Sequence, residues 1–398
     1  MLSLSKLLCD HGYYGDGLRY DPATRGASSG ARRDTGPVVV WNCTRACNLR
    51  CGHCYAAADP RPSPAELTTT ESRALIDDLA GFRVPALLLS GGEPLLRPDI
   101  FDLIGHAAGH GLRVVLSTNG TLIGREVADD LRRLGVSYVG ISLDGLEDRH
   151  DLLRGRPGAF AAALEAFRHC REVGLRSGLR LTLTRNNLDQ LPAILDLAEQ
   201  ERISRICIYH LVYSGRGREL ADQDLAVEQK REVLDLLISR VYAWDREQRR
   251  IEVLTVDNHA DGPFVYLRLR ARDPSRAAEA LELLHRNGGN RSGVAIAAID
   301  WEGKVHPDQF TLHHTVGDVR REGFARIWTQ AEHPLLAALR DRRRYLKGRC
   351  QECIWLEICN GNCRARAEAL TGDFWAPDPA CYLTEAETGG SESVQNRL

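Results

Sequence analysis

The sequence predicts an α/β protein organised on a parallel sheet, and three observations carry that prediction. From residue 37 to about 215, short β-rich runs alternate with amphipathic stretches. Most of the β-rich runs are continuously apolar, as in parallel strands covered on both faces. Polar or glycine-rich segments follow them and would gather at the carboxyl edge of the sheet, where α/β enzymes place their sites.

Taken in order, the expected strands are Pro37–Trp41, Ala86–Ser90, Leu112–Ser117, Tyr138–Leu143, Gly178–Thr184 and Arg205–Val212. The segments "LSGGEPL", "LSTNGTL", "ISLDGLED", "LTLTRNN" and "LVYSGRGR" stand at strand ends. Helical patterns lie between the strands. In "TTTESRALIDDLAGF", Thr68 and Glu71 have capping-box spacing. "GAFAAALEAFRHCREVG" and "NLDQLPAILDLAEQ" are two more. Six successive βα units imply right-handed crossovers, and the pattern alone leaves two closures open, a doubly wound sheet or a barrel-like curl.

The rest of the chain divides less sharply. Residues 216–250 read as a charged loop and a long helix, and 251–299 as a bridging segment with a strand, the loop "DNHADGPFVYL" and a helix. A hairpin-like "AIAAIDWEGKVHPDQF" opens the C-terminal region. The expected divisions are an N-terminal segment 1–36, a sheet domain 37–250, the bridge 251–299, a C-terminal domain 300–386 and a frayed polar tail 387–398.

Composition excludes several classes. A net charge of −2 gives no bulk field for nucleic acid. No apolar run approaches the ~18–20 residues that span a bilayer. The N-terminus "MLSLSKLLCDHGYYGDG" lacks a sustained apolar region and a small-residue cleavage site, so a cytoplasmic location is expected. Lysine occurs only at Lys6, Lys230, Lys304 and Lys347, so arginine dominates the 52 basic residues. Coding bias accounts for that simply, although guanidinium forks also suit carboxylates.

The 12 cysteines are concentrated in two places. One group is Cys43, Cys47, Cys51 and Cys54; the other is Cys350, Cys353, Cys359, Cys363 and Cys381. Clustering of this kind in a large chain points to metal rather than to a disulfide framework. Cys9, Cys170 and Cys207 read as small apolar residues.

The spacing C-x3-C-x2-C at Cys47, Cys51 and Cys54, with Tyr55 next, resembles the signature of the radical S-adenosylmethionine (SAM) superfamily. "GGEP" at Gly91, Gly92, Glu93 and Pro94 after the second strand strengthens the likeness. The resemblance implies a partial (β/α)6 TIM-like barrel. It also implies a 4Fe–4S cluster held by three thiolates, with SAM chelating the open iron and yielding a 5′-deoxyadenosyl radical. Carried over residue by residue, Gly91, Gly92 and Glu93 form the motif that holds the SAM amino group, and Tyr55 lies near the adenine. Ser142 and Asp144 in "SLDG" match a SAM-binding strand end, with Arg154 a weaker match. Cys43 falls outside the pattern. Asn119 in "STNG" reads equally as a SAM neighbour or a turn residue.

"RCQECIWLEICNGNCRARAEALTGDFWAPDPAC" resembles the SPASM/twitch extension, whose cysteines carry auxiliary iron–sulfur clusters. That likeness assigns Cys350, Cys353, Cys359 and Cys381 to one auxiliary 4Fe–4S cluster; tetrahedral zinc would also fit their spacing. A second auxiliary cluster looks dismantled. Cys363 matches one of its positions, but Asp308 stands where another cysteine is needed.

Through "MLSLSKLL", "YHLVYSGRGR", "DNHADGPFVYL", "NGGNRSGVAIAAIDWEGKVHPDQF", "VGDVRREGFARIW" and "TGDFWAPDPACYLTEAE", the chain resembles across its length the NirJ family of radical SAM proteins of heme d1 biosynthesis. The implied reaction removes propionate side chains from didecarboxysiroheme. Related deacetylases and decarboxylases of the siroheme-dependent heme route are the alternative. The implied partners are the tetrapyrrole, SAM and a reductant such as flavodoxin or ferredoxin, with neither nucleic acid nor membrane. Arg216 and Arg218 are candidate carboxylate anchors, and His259, His306, His313 and His314 read mainly as polar loop residues. A peptide-modifying SPASM maturase and a non-catalytic iron–sulfur scaffold are the rival classes. About 36 residues before the first strand are too few for an added peptide-recognition domain, and intact "GGEP" argues against a scaffold.

Overall fold

Apolar runs become strands where the pattern places them. A computed structural model describes residues 1–21, 36–329 and 333–389. Residues 390–398 of the expected tail lie outside the described residues, as do 22–35 of the N-terminal segment. The strands are β1 (Leu2–Ser3), β2 (Val38–Thr44), β3 (Leu87–Gly91), β4 (Val114–Thr118), β5 (Tyr138–Ser142), β6 (Ser177–Leu183), β7 (Arg205–His210), β8 (Glu252–Val256), β9 (Ile296–Ile299), β10 (Lys304–His306) and β11 (Gly317–Asp318). They form one sheet in the order β1-β8-β7-β6-β5-β4-β3-β2-β9-β10-β11.

Strands β2 to β7 are the six expected parallel strands, each hydrogen-bonded to the next. Two more join them. β8 pairs in parallel with β7, and β9 pairs in parallel with β2, so both come from the stretch the sequence reads as a bridge. β1 caps β8 in antiparallel fashion. β9, β10 and β11 form an antiparallel ribbon at the other end.

Alternation within each strand separates core from cavity. Val39, Trp41, Leu87, Leu89, Leu116 and Ile141 face the helices and are buried. Val38, Val40, Leu88, Ser90, Ser117 and Ser142 point the other way and line a cavity. Helices cover the outer face with residues at i, i+3, i+4 and i+7, as Leu191, Ile194, Leu195 and Ala198 do in Leu191–Gln200. Helix Thr69–Gly81 begins with the capping box read from the sequence. Thr68 Oγ1 accepts from the Glu71 N–H at 3.3 Å, and the Glu71 carboxylate accepts from the Thr68 N–H at 2.8 Å. Ile76 on this helix is fully buried, so truncation to alanine costs about 2–5 kcal/mol. Among the described residues no helix is long and apolar enough to cross a membrane.

Candidate active site

The loop after β2 carries Cys47, Cys51 and Cys54, and it is fastened on three sides. Its base is closed by Cys47 N–H to Asp59 O at 2.8 Å and Asp59 N–H to Arg45 O at 3.1 Å. Arg50 N–H and Gly52 N–H donate to the carbonyls of Arg154 and Leu153. Arg216 grips the loop from the end of β7, with Nε on Cys51 O and a terminal nitrogen on Ala58 O, both at 2.9 Å. The three sulfurs line the cavity together. Burial pushes the Cys47 thiol up to about 12, and the neighbouring Cys51 and Cys54 add to it. Burial also raises Cys51, opposed by Arg154, which donates to its Sγ at 3.4 Å.

The end of β3 packs against this loop backbone to backbone. Gly91 has φ +125°, which a side chain would resist, and a Cβ on Gly92 would overlap the Ala46 carbonyl. Gly92 N–H donates to Thr44 O at 2.8 Å and Glu93 N–H to Ala46 O at 2.7 Å. The backbone of Gly91 and Gly92 therefore faces the cavity, while Glu93 lies behind it, fully buried. Its carboxylate accepts from Leu95 N–H at 3.2 Å, Thr118 Oγ1 at 2.8 Å and Asn119 N–H at 2.8 Å, pinning β3 to β4. Burial lifts this carboxyl to about 7 in spite of those bonds.

Tyr55 is held in place by its hydroxyl, 2.9 Å from both Asn42 Oδ1 and Ser90 Oγ, and its ring meets Phe310 edge-on at 5.4 Å. Ser142 and Arg154 line the cavity. Asp144 sits beneath them, 1% exposed, ion-paired with Arg154 and 3.3 Å from His53 Nε2. Burial acts to raise the Asp144 carboxyl, but Arg154 and His53 outweigh it and hold it low. Asn119 Nδ2 donates to Asn48 Oδ1 at 2.9 Å, so it also braces the cysteine loop.

On the C-terminal side, Cys350, Cys353, Cys359 and Cys381 are neighbours. Burial raises the Cys359 thiol strongly, and Cys381, Cys350 and Cys353 raise it further. Arg349 reaches Cys381 Sγ at 3.8 Å. Cys363 stands apart: burial pushes it up to about 12, and its charged neighbours are Arg366, Asp378 and Asp308 rather than the other cysteines. It lines the cavity with Asp308, whose carboxylate is satisfied by Ser292 Oγ, the N–H groups of Phe310 and Thr311, and the Thr311 hydroxyl.

This arrangement matches known proteins over the whole chain. The model "Radical SAM superfamily" matches residues 41–198, and "Iron-sulfur cluster-binding domain" (SPASM) matches 292–354. The chain is 48% identical over 399 residues to Fe-coproporphyrin III synthase of Methanosarcina barkeri, covering 99% of this chain and 100% of that protein. The chain belongs to the radical SAM superfamily. Pre-heme d1 synthase of Dinoroseobacter shibae is 43% identical over 366 residues, covering 92% of this chain and 90% of that one. SuiB of Streptococcus suis, solved with its precursor peptide SuiA, superposes with a TM-score of 0.70 over 88% of this chain and 76% of SuiB. At 18% identity that likeness establishes the fold alone.

As a radical SAM enzyme with a SPASM domain, the protein uses SAM and 4Fe–4S clusters. The donor sets fit. Three thiols in one loop would hold a cluster and leave one iron for SAM, and four neighbouring thiols on the C-terminal side would complete the ligands of a second iron–sulfur core. The glycine backbone, Tyr55, Ser142 and Arg154 line the same cavity as the three cysteines, whereas Glu93 and Asp144 are buried behind its wall.

Other sequence candidates are placed differently. Arg218 is exposed and, among the described residues, donates only to Ala369 O at 3.4 Å. His306 is fully buried between His314 O and Asp300, and His313 and His314 bond to Glu368. Of the four candidate histidines, only His259 is among the cavity-lining residues. Cys43 is packed in the core, its Sγ donating to Ser90 O at 3.4 Å. Sequence reasoning missed His53, Arg180, His210 and Arg291, which also line the cavity. For Arg180 a signal existed: in "LRLTL" the polar residues alternate with leucines, marking an inward-facing register.

Proposed function

We propose that this radical SAM enzyme removes carboxylate-bearing side chains from an iron tetrapyrrole of the siroheme-derived heme routes. The observation that carries the reading is 48% identity along the entire chain to Fe-coproporphyrin III synthase. It favours acetate removal. Propionate removal on the heme d1 route is the second reading, favoured by 43% identity to pre-heme d1 synthase.

SAM held at a cluster on Cys47, Cys51 and Cys54 would supply the 5′-deoxyadenosyl radical chemistry that abstracts a substrate hydrogen atom. The chain's own residues determine where. Cys47, Cys51 and Cys54 hold the cluster, in a loop that Arg216 and Arg154 keep rigid. The Gly91–Gly92 backbone, packed on the cysteine loop because no Cβ intervenes, lines the cavity where the SAM amino group would lie. Ser142 and Arg154 offer polar contacts, and the pinned Tyr55 ring offers a face for adenine. The cavity, about 340 Å³, opens over the three-cysteine loop. A cytoplasmic flavodoxin or ferredoxin completes the proposal as reductant.

The test is an anaerobic turnover of the reconstituted enzyme with SAM, a reductant and didecarboxysiroheme, followed by mass spectrometry. Acetate-sized losses coupled to 5′-deoxyadenosine support the first reading, and propionate-sized losses the second. SAM cleavage with the tetrapyrrole intact removes both.

A further inference from the structure

Most charged groups around the cavity have partners. Arg154 pairs with Asp144, Arg216 with two carbonyls, His210 with Asp261 at 3.0 Å, and Asp308 with hydroxyl and amide donors. Two arginines differ. Arg180 and Arg291 line the cavity, have neither a carboxylate nor a carbonyl partner among the described residues, and each, like Arg154, keeps its Nε shielded from solvent without an acceptor.

Arg180 is built into the barrel wall. It projects from β6 across β5, in space that exists because residue 140 is glycine; a Cβ there would overlap the Arg180 Nε. One terminal nitrogen donates to Ser117 Oγ on β4, and the guanidinium lies 5.8 Å from the Tyr209 ring centroid. The side chain is thus aimed and braced, with donors left over.

Arg291 comes from the opposite side, on a loop fastened to the auxiliary cysteine site. Asn290 N–H donates to Cys359 O at 3.1 Å, Asn360 Nδ2 to Asn290 O at 2.6 Å, and Arg342 to Asn290 Oδ1 at 2.9 Å and Ser292 O at 2.8 Å. The Arg291 side chain itself makes no hydrogen bond or ion pair among the described residues. Burial depresses its guanidinium with no anion opposing the shift.

A desolvated cation without a counter-ion is costly, so two in one cavity favour an anionic occupant. The guanidinium fork matches a carboxylate bidentately, which a lysine cannot reproduce. We propose that Arg180 and Arg291 dock two carboxylates of the substrate from opposite sides of the cavity, orienting the side chain to be attacked. This deepens the tetrapyrrole reading and rests on it.

The experiment measures tetrapyrrole and SAM affinity in the reconstituted enzyme. Didecarboxysiroheme and its methyl ester are titrated by absorbance against the wild type, Arg180→Gln, Arg291→Gln and Gly140→Ala. Each substitution is expected to weaken binding of the free acid about 10–100-fold, with SAM affinity and iron content unchanged. The ester should bind the wild type about as weakly as the free acid binds the variants. Should Arg180→Gln fail to retain its iron, Arg180→Lys keeps the charge without the fork and should still weaken binding. Unchanged tetrapyrrole affinity in the variants overturns the docking role while leaving the substrate reading intact. Loss of SAM affinity alone would hand the guanidinium to SAM's carboxylate and overturn it too. A wild type that binds SAM but no tetrapyrrole overturns the substrate reading, and this proposal with it.

Discussion

Arg366 and Asp378 form an ion pair of 2.8 Å in which neither side chain is exposed. Arg366 also donates to Leu211 O at 3.1 Å and Asp257 O at 2.6 Å, just beyond the ends of β7 and β8. Asp378 accepts from the Cys363 and Ala380 N–H groups, both at 2.9 Å. One guanidinium thus fastens the segment around Asp378 to the ends of β7 and β8, next to the cavity.

Removing one member leaves the other charge buried without compensation, which costs about 3–5 kcal/mol. Asp378→Asn should therefore lower the anaerobic urea midpoint markedly. Replacing the exposed pair Arg73–Asp102 should leave it nearly unchanged. Equal effects at the two sites would contradict the burial argument.

Glu93 sets a pH dependence of stability. Its folded carboxyl is raised from 4.5 to about 7 because it is buried, so the folded state binds the proton more tightly than the unfolded chain. Stability from this group is then fully present below about pH 4.5 and is lost as pH rises towards 7. At about 1.4 kcal/mol per unit, the whole window amounts to about 3 kcal/mol. Urea midpoints of the wild type should fall between pH 5.5 and pH 8. Glu93→Gln, which places an amide donor among three donors, should start less stable and show a flatter profile. Parallel profiles would remove Glu93 as the cause.

The fold was legible where composition and period agreed. Six strands, the Thr68–Glu71 box and both cysteine groups stood out because each is a local pattern. The strand in 251–299 and the hairpin at "AIAAIDWEGKVHPDQF" are legible, but not their places beside β7 and β2, because a short apolar run such as "EVLTV" or "IAAI" says nothing about its neighbours in a sheet. The site was legible through the residues that carry motifs. Its polar wall was not, since Arg291 sits in a loop and becomes a cavity residue only through bonds from Asn290 to the auxiliary cysteine loop. Arg216 was read as a substrate anchor, but backbone carbonyls of the cysteine loop occupy its Nε and one terminal nitrogen.

Arg216→Ala should therefore affect the cluster before the substrate. It frees the Cys51 and Ala58 carbonyls, and charge-assisted bonds of this kind are worth about 1.5–3 kcal/mol each. Iron at the three-cysteine site should become more easily lost to a chelator, with the auxiliary iron unaffected. A variant with normal cluster retention but weaker tetrapyrrole binding would restore the anchor reading.

Cysteine substitutions should separate the two sites, with Cys363 belonging to neither. A Cys54→Ala variant should keep about four irons of about eight and lose SAM cleavage, because two thiols cannot hold the cluster loop's iron core. Cys359→Ala should lose the other four while the SAM-binding cluster's spectroscopic signal remains. Cys363→Ser should keep both sets. Its sulfur faces Asp308 and the Arg366–Asp378 pair, and Asp308 is already satisfied by Ser292, Phe310 and Thr311, so no second set of ligands surrounds it. Iron analysis with electron paramagnetic resonance on the reduced proteins distinguishes these outcomes. Loss of about four irons in Cys363→Ser would place that thiol in a cluster after all.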